Sequence, residues 1–189
     1  IQLGGSGTLE VFSGRDIDLG NSGGIVTIGN RENPSLSFEG AAIRVMSGLN
    51  GGVDYSGFMN IYFNPVNRNE AHVTSMVETA RQRTGDSTLT LEQAYAWLLS
   101  QADPVKRELI FNALFSEIRL AGRAAAHANT QKERNQAYQR GYDAIAALFP
   151  GDEHHGDLSL LFSQLKTEAG GGIDILVPGG KVNAGQTTP

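Results

Sequence analysis

Apolar residues recur two positions apart over residues 1–63, in short runs separated by turn-forming residues. A period of two places both members of a pair on one face of a β-strand and the residue between them on the other face. Gly-Gly, Ser-Gly or Asn-Gly separates most of the pairs, as turns require. The pattern therefore predicts a series of short strands. The pairs are Leu9/Val11, Ile17/Leu19, Val26/Ile28, Leu36/Phe38, Ile43/Val45, Val53/Tyr55 and Ile61/Phe63.

The spacing of these pairs is nearly constant. Every second pair begins at Leu9, Val26, Ile43 and Ile61, which are 17, 17 and 18 residues apart. A short repeat with one inward pair per strand is typical of a parallel β-solenoid, in which each coil buries its apolar row on the next. A small antiparallel sandwich is the alternative, but such short strands favour the solenoid.

The same unit returns after a long interruption. Gly156–Leu160 and Gly171–Ile175 repeat the order Gly-x-apolar-x-apolar, and Gly180–Ala184 is a weaker third copy. Because a bare terminal coil exposes an apolar row and an unpaired strand edge, we expect the two blocks to join. The strand that begins near Ile173 is predicted to pair in parallel with a strand of residues 1–63.

The intervening residues have a helical pattern with readable starts and ends. Four helices are predicted, the first from about Asn67 and the third from Asp103-Pro104, where proline suits the first helical position. The second and fourth begin with the capping boxes Thr90/Gln93 and Thr130/Glu133. The predicted organisation is therefore β-solenoid coils at 1–63, an all-α helical insertion at 64–152, and resumed coils at 153–189.

Composition supports this division and excludes several classes of function. Residues 64–150 contain 3 of the 24 glycines, and glycine is costly inside helices. The net charge of −5 argues against a nucleic-acid partner, because phosphate binding needs a basic field. The absence of cysteine excludes disulfides, thiolate metal sites and a cysteine nucleophile. No apolar run is long enough to predict membrane insertion, and the opening in mid-pattern without methionine indicates a fragment of a longer protein.

Two segments resemble a known family. Gly156–Thr167 (GDLSLLFSQLKT) and Gly170–Gly180 (GGGIDILVPGG) are similar to the C-terminal regions of filamentous haemagglutinin-like exoproteins. These are the large exported proteins of bacterial two-partner secretion. The resemblance implies export through an outer-membrane transporter, a β-helical rod that is secreted or held at the bacterial cell surface, and a role in adhesion.

The histidines are the first candidates for metal binding. His154 and His155 lie among acidic residues, and imidazoles with carboxylates can bind a transition metal. Adjacent residues rarely face one ion, however, so a solvated loop is the better interpretation. His72 and His127 lie in predicted helices without a histidine partner four residues away, and we expect them at the surface or at its boundary.

Exposed carboxylates provide the alternative to a structural role. Asp18, Asp54 and Asp174 each lie between two inward apolar residues, and Arg44 occupies an equivalent outward position. Carboxylates on a shared strand face could serve as the acid and base of a carbohydrate-active enzyme. A polar, solvated strand face is the simpler interpretation.

Aromatic residues of the helical block could line a binding groove, although aromatic stripes at helical spacing are usually core. They are Tyr95, Trp97, Phe111 and Phe115.

We therefore assign no catalytic, cofactor-binding or metal-binding residue. The predicted function is a non-enzymatic structural and adhesive segment of a secreted bacterial surface adhesin, whose helical projection contacts a cell-surface glycan or protein. The alternative is a β-helical carbohydrate-active enzyme, either a lyase or a glycoside hydrolase.

Overall fold

A computed structural model describes residues 1–67 and 70–185 of the chain, which divides into two compact units. One unit joins Ile1–Gly52 to the segment that starts at Gly151, and we call it the sheet unit. The other is Val53–Pro150, which we call the helical unit. The sequence predicted the division at 63/64 and 152/153, so the first boundary lies about ten residues earlier than expected.

The sheet unit contains three parallel sheets of three strands each, in the orders β1-β4-β7, β2-β5-β8 and β3-β6-β9. The chain therefore passes through the three sheets in the same order three times, with the helical unit between β5 and β6. The strands are β1 (Gln2–Leu3), β2 (Thr8–Phe12), β3 (Ile17–Asp18), β4 (Ile25–Thr27), β5 (Ala42–Met46), β6 (Leu158–Ser159), β7 (Leu165–Thr167), β8 (Ile173–Leu176) and β9 (Val182–Asn183).

Strand β5 is central to the longest sheet and to the core. Its Ile43 lies opposite Leu9 of β2 on one side and Ile173 of β8 on the other, and both pairings are parallel. The predicted parallel pairing of the Ile173 strand is thus confirmed. Ile43 is fully buried, whereas Ile173, on an edge strand, is 40% exposed. The core of the unit comprises Ile17, Ile25, Ile43, Val45, Leu158 and Leu160.

The predicted fold class, a β-solenoid interrupted by a helical insertion, is wrong. In the part of the chain that the structure describes, the β-structure consists of three short three-stranded sheets whose strands span two to five residues, and it does not form a long parallel β-helix. The reason is visible in the predicted repeat, because some of its apolar pairs do not form strands. The pair Leu36/Phe38 lies in an exposed loop, and the pairs at Val53/Tyr55 and Ile61/Phe63 mark the start and end of a helix.

Among its described residues, the helical unit contains five α-helices and one short 3-10 helix. The four predicted ones are present as α2 to α5, and α1 is the helix that the sequence assigned to strands. Both capping boxes, Thr90/Gln93 and Thr130/Glu133, are confirmed. The helices are α1 (Tyr55–Tyr62), α2 (Glu70–Thr84), α3 (Leu91–Ser100), α4 (Asp103–Ala126) and α5 (Gln131–Leu148).

The other two predicted helix starts differ slightly from the structure. Asn67, the predicted cap of the first helix, instead ends a short 3-10 helix, Pro65–Asn67. The two residues between it and Glu70 lie outside the described residues. Helix α4 starts one residue early, with Asp103 inside the helix and Ala102 at the cap position.

The two ends of the helical unit are tied to each other. The backbone N–H of Asp54 donates to the carbonyl of Leu148 at 2.9 Å. In the sheet unit, the hydroxyl of Ser47 donates to the carbonyl of Gly156 at 3.2 Å, which joins the segments before and after the insertion. Each unit therefore closes its own ends by hydrogen bonds.

We expect residues 53–150 to fold when produced alone, because the unit contains its own core, caps and end-to-end hydrogen bond. Circular dichroism should show a helical spectrum and a cooperative thermal transition. A random-coil spectrum, or a melt without cooperativity, would contradict this prediction.

Candidate functional site: the α4–α5 hairpin

Helices α4 and α5 form a hairpin that is joined by the short loop at residues 127–130. Small residues allow the two helices to approach closely: a Cβ atom added to Gly141 of α5 would lie 3.2 Å from the Cβ of Ala121 of α4. Ala125, one turn further along α4, is also buried. The hairpin is thus held together by small side chains.

The distal hairpin, which we define as residues 118–139, is largely exposed. Within this range Ala121 and Ala125 are the buried residues, Ile118, Ala128 and Ala137 are half-buried, and all the others are exposed. An amphipathic helix in a globular core normally buries a wider apolar stripe. The distal hairpin therefore presents most of its surface to solvent.

Positive charge is concentrated on this surface. Arg119, Arg123, Lys132 and Arg134 are all exposed, and Glu133 is the one acidic residue of the distal hairpin. The Glu133 carboxylate accepts from the backbone N–H groups of residues 129 and 130, so it caps α5. Among the described residues, none of the four basic side chains forms an ion pair. The formal charge of the distal hairpin is +3, although the protein carries −5.

Two tyrosines and several amides complete the polar surface of α5. Tyr138 is 40% and Tyr142 is 61% exposed, and their ring centroids lie 6.4 Å apart. The amides of Gln131 and Gln139 donate to Asn135 at 2.8 Å and to Asp143 at 2.7 Å. An open depression of about 660 Å³ lies on this helix, lined by Lys132, Asn135, Gln136 and Gln139.

A buried cluster of charged and polar groups holds the base of the hairpin. The carboxylate of Glu117 on α4 is buried and accepts two hydrogen bonds from Arg140 on α5, from Nε at 2.5 Å and from a terminal nitrogen at 2.8 Å. It also accepts from Nε2 of His72 on α2 at 2.6 Å. An ionised carboxylate can only accept, so the histidine nitrogen must be the donor. The Glu117 carboxylate on α4 therefore links this helix to both α2 and α5.

This cluster affects the acidity of two groups. Burial raises the pKa of the Glu117 carboxyl, but the hydrogen bonds and positive charge of Arg140 and the contact with His72 outweigh it, so the pKa lies below its usual range. Burial and the nearby carboxylates of Glu117 and Asp143 raise the pKa of Tyr62 to about 12. Tyr62 also packs edge-on against the His72 ring. The cluster therefore stabilises an ionised Glu117 and a neutral Tyr62.

The expectation that His72 lies at the surface or at its boundary is wrong, because its ring is buried between Tyr62, Phe63 and Glu117. Its partner Glu117 is 45 residues away in the chain, and no local spacing indicates such a pair. His127 is exposed at the end of α4, as expected.

His154 and His155 point into different surroundings. His154 is buried and its Nδ1 donates to the carbonyl of Gly48 at 3.2 Å, so the expected solvated loop is wrong for this residue. His155 is exposed and lines an open polar cleft of about 550 Å³ together with Arg15, Asp16 and Asp157. Among the described residues, no group of three His, Asp or Glu side chains is arranged to hold a metal ion.

The predicted outward carboxylates occupy separate places. Asp18 accepts from the backbone of Gly20 at 2.9 Å in a turn of the sheet unit. Asp54 is not on a strand, but caps α1 by accepting from Gly57 at 2.8 Å. The structure therefore does not bring these two carboxylates together in one sheet.

Asp174 belongs to a charge ladder across the longest sheet. Glu10, Arg44 and Asp174 lie side by side on β2, β5 and β8, and the guanidinium of Arg44 approaches their carboxylates at 3.2 and 3.5 Å. Arg44 is buried rather than solvated as expected. The outward position of Arg44 and Asp174 between apolar neighbours was visible in the sequence, but only the pairing of the strands brings the opposite charges together.

The aromatic residues of the helical block divide between core and surface. Phe111 is fully buried, and Trp97 and Phe115 are half-buried. Tyr95 lines a groove of about 430 Å³ together with the exposed residues Val66 and Leu91. The core interpretation is confirmed for Phe111, while Tyr95 contributes to a surface groove.

Within the described residues, no helix is long and apolar enough to cross a membrane. Comparisons of the chain with protein-family models, with curated proteins and with solved structures find no match.

Proposed function

We propose that this chain is a non-enzymatic, adhesive segment of a large secreted bacterial surface protein, in which the helical unit contacts a cell-surface glycan or protein. The observation that carries the proposal is the distal hairpin, a two-helix surface that is largely exposed and rich in positive charge without an acidic partner among the described residues. A basic surface of this kind attracts anionic groups, so it suits contact with a charged partner.

The strand pairing of the sheet unit is consistent with a structural role for this unit. Its sheets pair strands from both sides of the insertion, for example β5 with β8 and β3 with β6. This pairing joins the chain segments that precede and follow the insertion into one hydrogen-bonded framework within the sheet unit. The resemblance of Gly156–Gly180 to filamentous haemagglutinin-like exoproteins supports export by an outer-membrane transporter and a location at the cell surface.

The positions of the carboxylates favour this proposal over the carbohydrate-active enzyme. A glycoside hydrolase needs two carboxylates on opposite sides of one bond, roughly 5–10 Å apart. Asp18 and Asp54 each cap a backbone turn in different units, and Asp174 is paired with Arg44. Each of these carboxylates therefore has a structural partner in a separate place.

The proposal is tested with the full chain coupled to fluorescent beads, which are incubated with bacterial and epithelial cells and with a glycan array. We expect saturable binding to at least one cell type or glycan, and competition by free chain. Beads coated with the heat-unfolded chain provide the control. Binding equal to that control would contradict an adhesive role, and release of reducing ends or unsaturated sugars from an arrayed glycan would contradict a non-enzymatic one.

A further inference from the structure

We infer that the distal hairpin binds an acidic polysaccharide, a sugar polymer that carries carboxylate or sulfate groups. The inference rests on the proposed adhesive function and names the surface and the ligand class. It follows from three features of residues 118–139: the charge, the exposed aromatic and amide groups, and the lack of an apolar face.

The charge indicates an anionic ligand. Arg119 and Arg123 are four residues apart and therefore share one face of α4, while Lys132 and Arg134 lie in the first turn of α5. None of the four is neutralised by a carboxylate among the described residues, in a protein whose overall charge is negative. A guanidinium group can bind a carboxylate or sulfate through two parallel hydrogen bonds. An anionic polymer would supply the missing partners.

The neutral groups of α5 indicate a sugar. The exposed rings of Tyr138 and Tyr142 offer apolar faces with a hydroxyl group at the edge, which suits the apolar face of a sugar ring. Gln136 and Gln139 line the depression on α5 and supply both amide donors and amide acceptors, which match hydroxyl groups. Positive charge, tyrosine and amide side chains thus occur together on one helix.

The residue composition of the distal hairpin disfavours an anionic membrane surface as its ligand. A helix that lies in a membrane surface needs a continuous apolar face. The exposed large apolar or aromatic residues are Leu120 and Tyr138 of the distal hairpin and Tyr142 one turn beyond it, which are too few to form one. A nucleic acid carries a phosphate charge at every step and is the competing polyanion in the test below, where tighter binding of DNA would exclude the polysaccharide.

The test uses the full chain and polygalacturonate, heparin and neutral dextran as probes, with binding measured by biolayer interferometry at about 50 mM salt. A variant with Arg119, Arg123, Lys132 and Arg134 all changed to Gln should bind the acidic polymers at least about tenfold more weakly, since salt-sensitive electrostatic attraction is lost. Arg15→Gln/Lys181→Gln removes exposed charges from the sheet unit and should change binding less than twofold. Tyr138→Ala/Tyr142→Ala should weaken binding to the acidic polymers about fivefold without changing the net charge.

Several outcomes would overturn the inference. Equal binding by wild type and the fourfold Gln variant, equal binding of dextran, or tighter binding of phosphatidylglycerol vesicles or DNA would each do so. If the full chain binds cells or other glycans but neither acidic polymer, the inference fails and the adhesive function stands. If it binds no cell and no glycan, the proposed function fails as well. Circular dichroism checks that each variant keeps its helices.

Discussion

Replacing Ile43 with Asp is expected to unfold the sheet unit. Ile43 is fully buried in the central strand and contacts the facing strands on both sides. The substitution removes roughly 1.5–3 kcal/mol of apolar burial and adds the larger cost of a buried, unpaired carboxylate. The sum approaches the total stability of about 5–15 kcal/mol that is typical of a small domain. We therefore expect the β-structure to be lost at room temperature.

Ile173→Asp is the matched control, because Ile173 lies at the same register position on the edge strand and is 40% exposed. Its carboxylate can remain solvated, so the loss should be about 1 kcal/mol or less. Urea unfolding followed by amide hydrogen exchange measures both variants. Similar losses of protection at Val45 in the two variants would contradict the packing of β5 between β2 and β8.

Glu117→Gln is expected to have the largest effect in the helical unit. An amide keeps one acceptor oxygen, but its NH₂ group would face a donor of Arg140 or of His72. The positive charge of Arg140 would also lose its partner. We expect the free energy of unfolding to fall by about 2–4 kcal/mol. This is at the lower end of the values for breaking a buried ion pair, because Arg140 is half-exposed.

Glu108→Gln provides the control for this prediction. Glu108 pairs with Arg83 at 2.7 Å, but both side chains are about half exposed. Such exposed pairs contribute less than about 1 kcal/mol. Thermal and urea unfolding of both variants in the full chain gives the comparison. A loss at Glu108 as large as the loss at Glu117 would show that burial of the carboxylate does not determine the effect.

The Glu117 cluster also predicts a dependence on pH. The folded protein holds the pKa of Glu117 below its ordinary value, so the ionised carboxylate contributes stability above that ordinary value, about pH 4.3. This contribution is lost as the pH falls through the folded pKa. The stability difference between wild type and Glu117→Gln should therefore be full at pH 7 and should decrease steadily as the pH falls below about 4.3.

Local signals in the sequence determined the starts of α3 and α5 and part of the strand pattern. The capping boxes at Thr90 and Thr130 depend on side chains three residues apart, and both form as predicted. The alternation at Ile43/Val45 also places both residues in the core as predicted. Interactions over a few residues leave a local pattern, and the sequence alone is sufficient to identify them.

Predictions from weak local patterns were wrong where tertiary packing determines the secondary structure. A single apolar pair two positions apart fits a strand or the end of a helix equally well, and the pairs at Val53 and Ile61 proved to flank α1. In β4 the positions that face inward are shifted by one residue. Ile25 and Thr27 are buried, and the predicted Val26 is not. Tertiary burial chooses between such alternatives, and a short strand carries too few side chains to make the choice in advance.

The polar clusters were decided by the tertiary structure alone. Glu117 meets His72 across 45 residues and Arg140 across 23, and Arg44 meets Asp174 across 130. The exposure of the distal hairpin likewise depends on how the other helices of the unit pack, because their arrangement leaves this part uncovered. Contacts between distant segments leave no periodic trace in the chain, because each partner by itself resembles an ordinary surface residue. The sequence by itself identified most of the strands and helices α2 to α5, and the packing of distant segments determined α1, where the charged groups meet and which surface remains exposed.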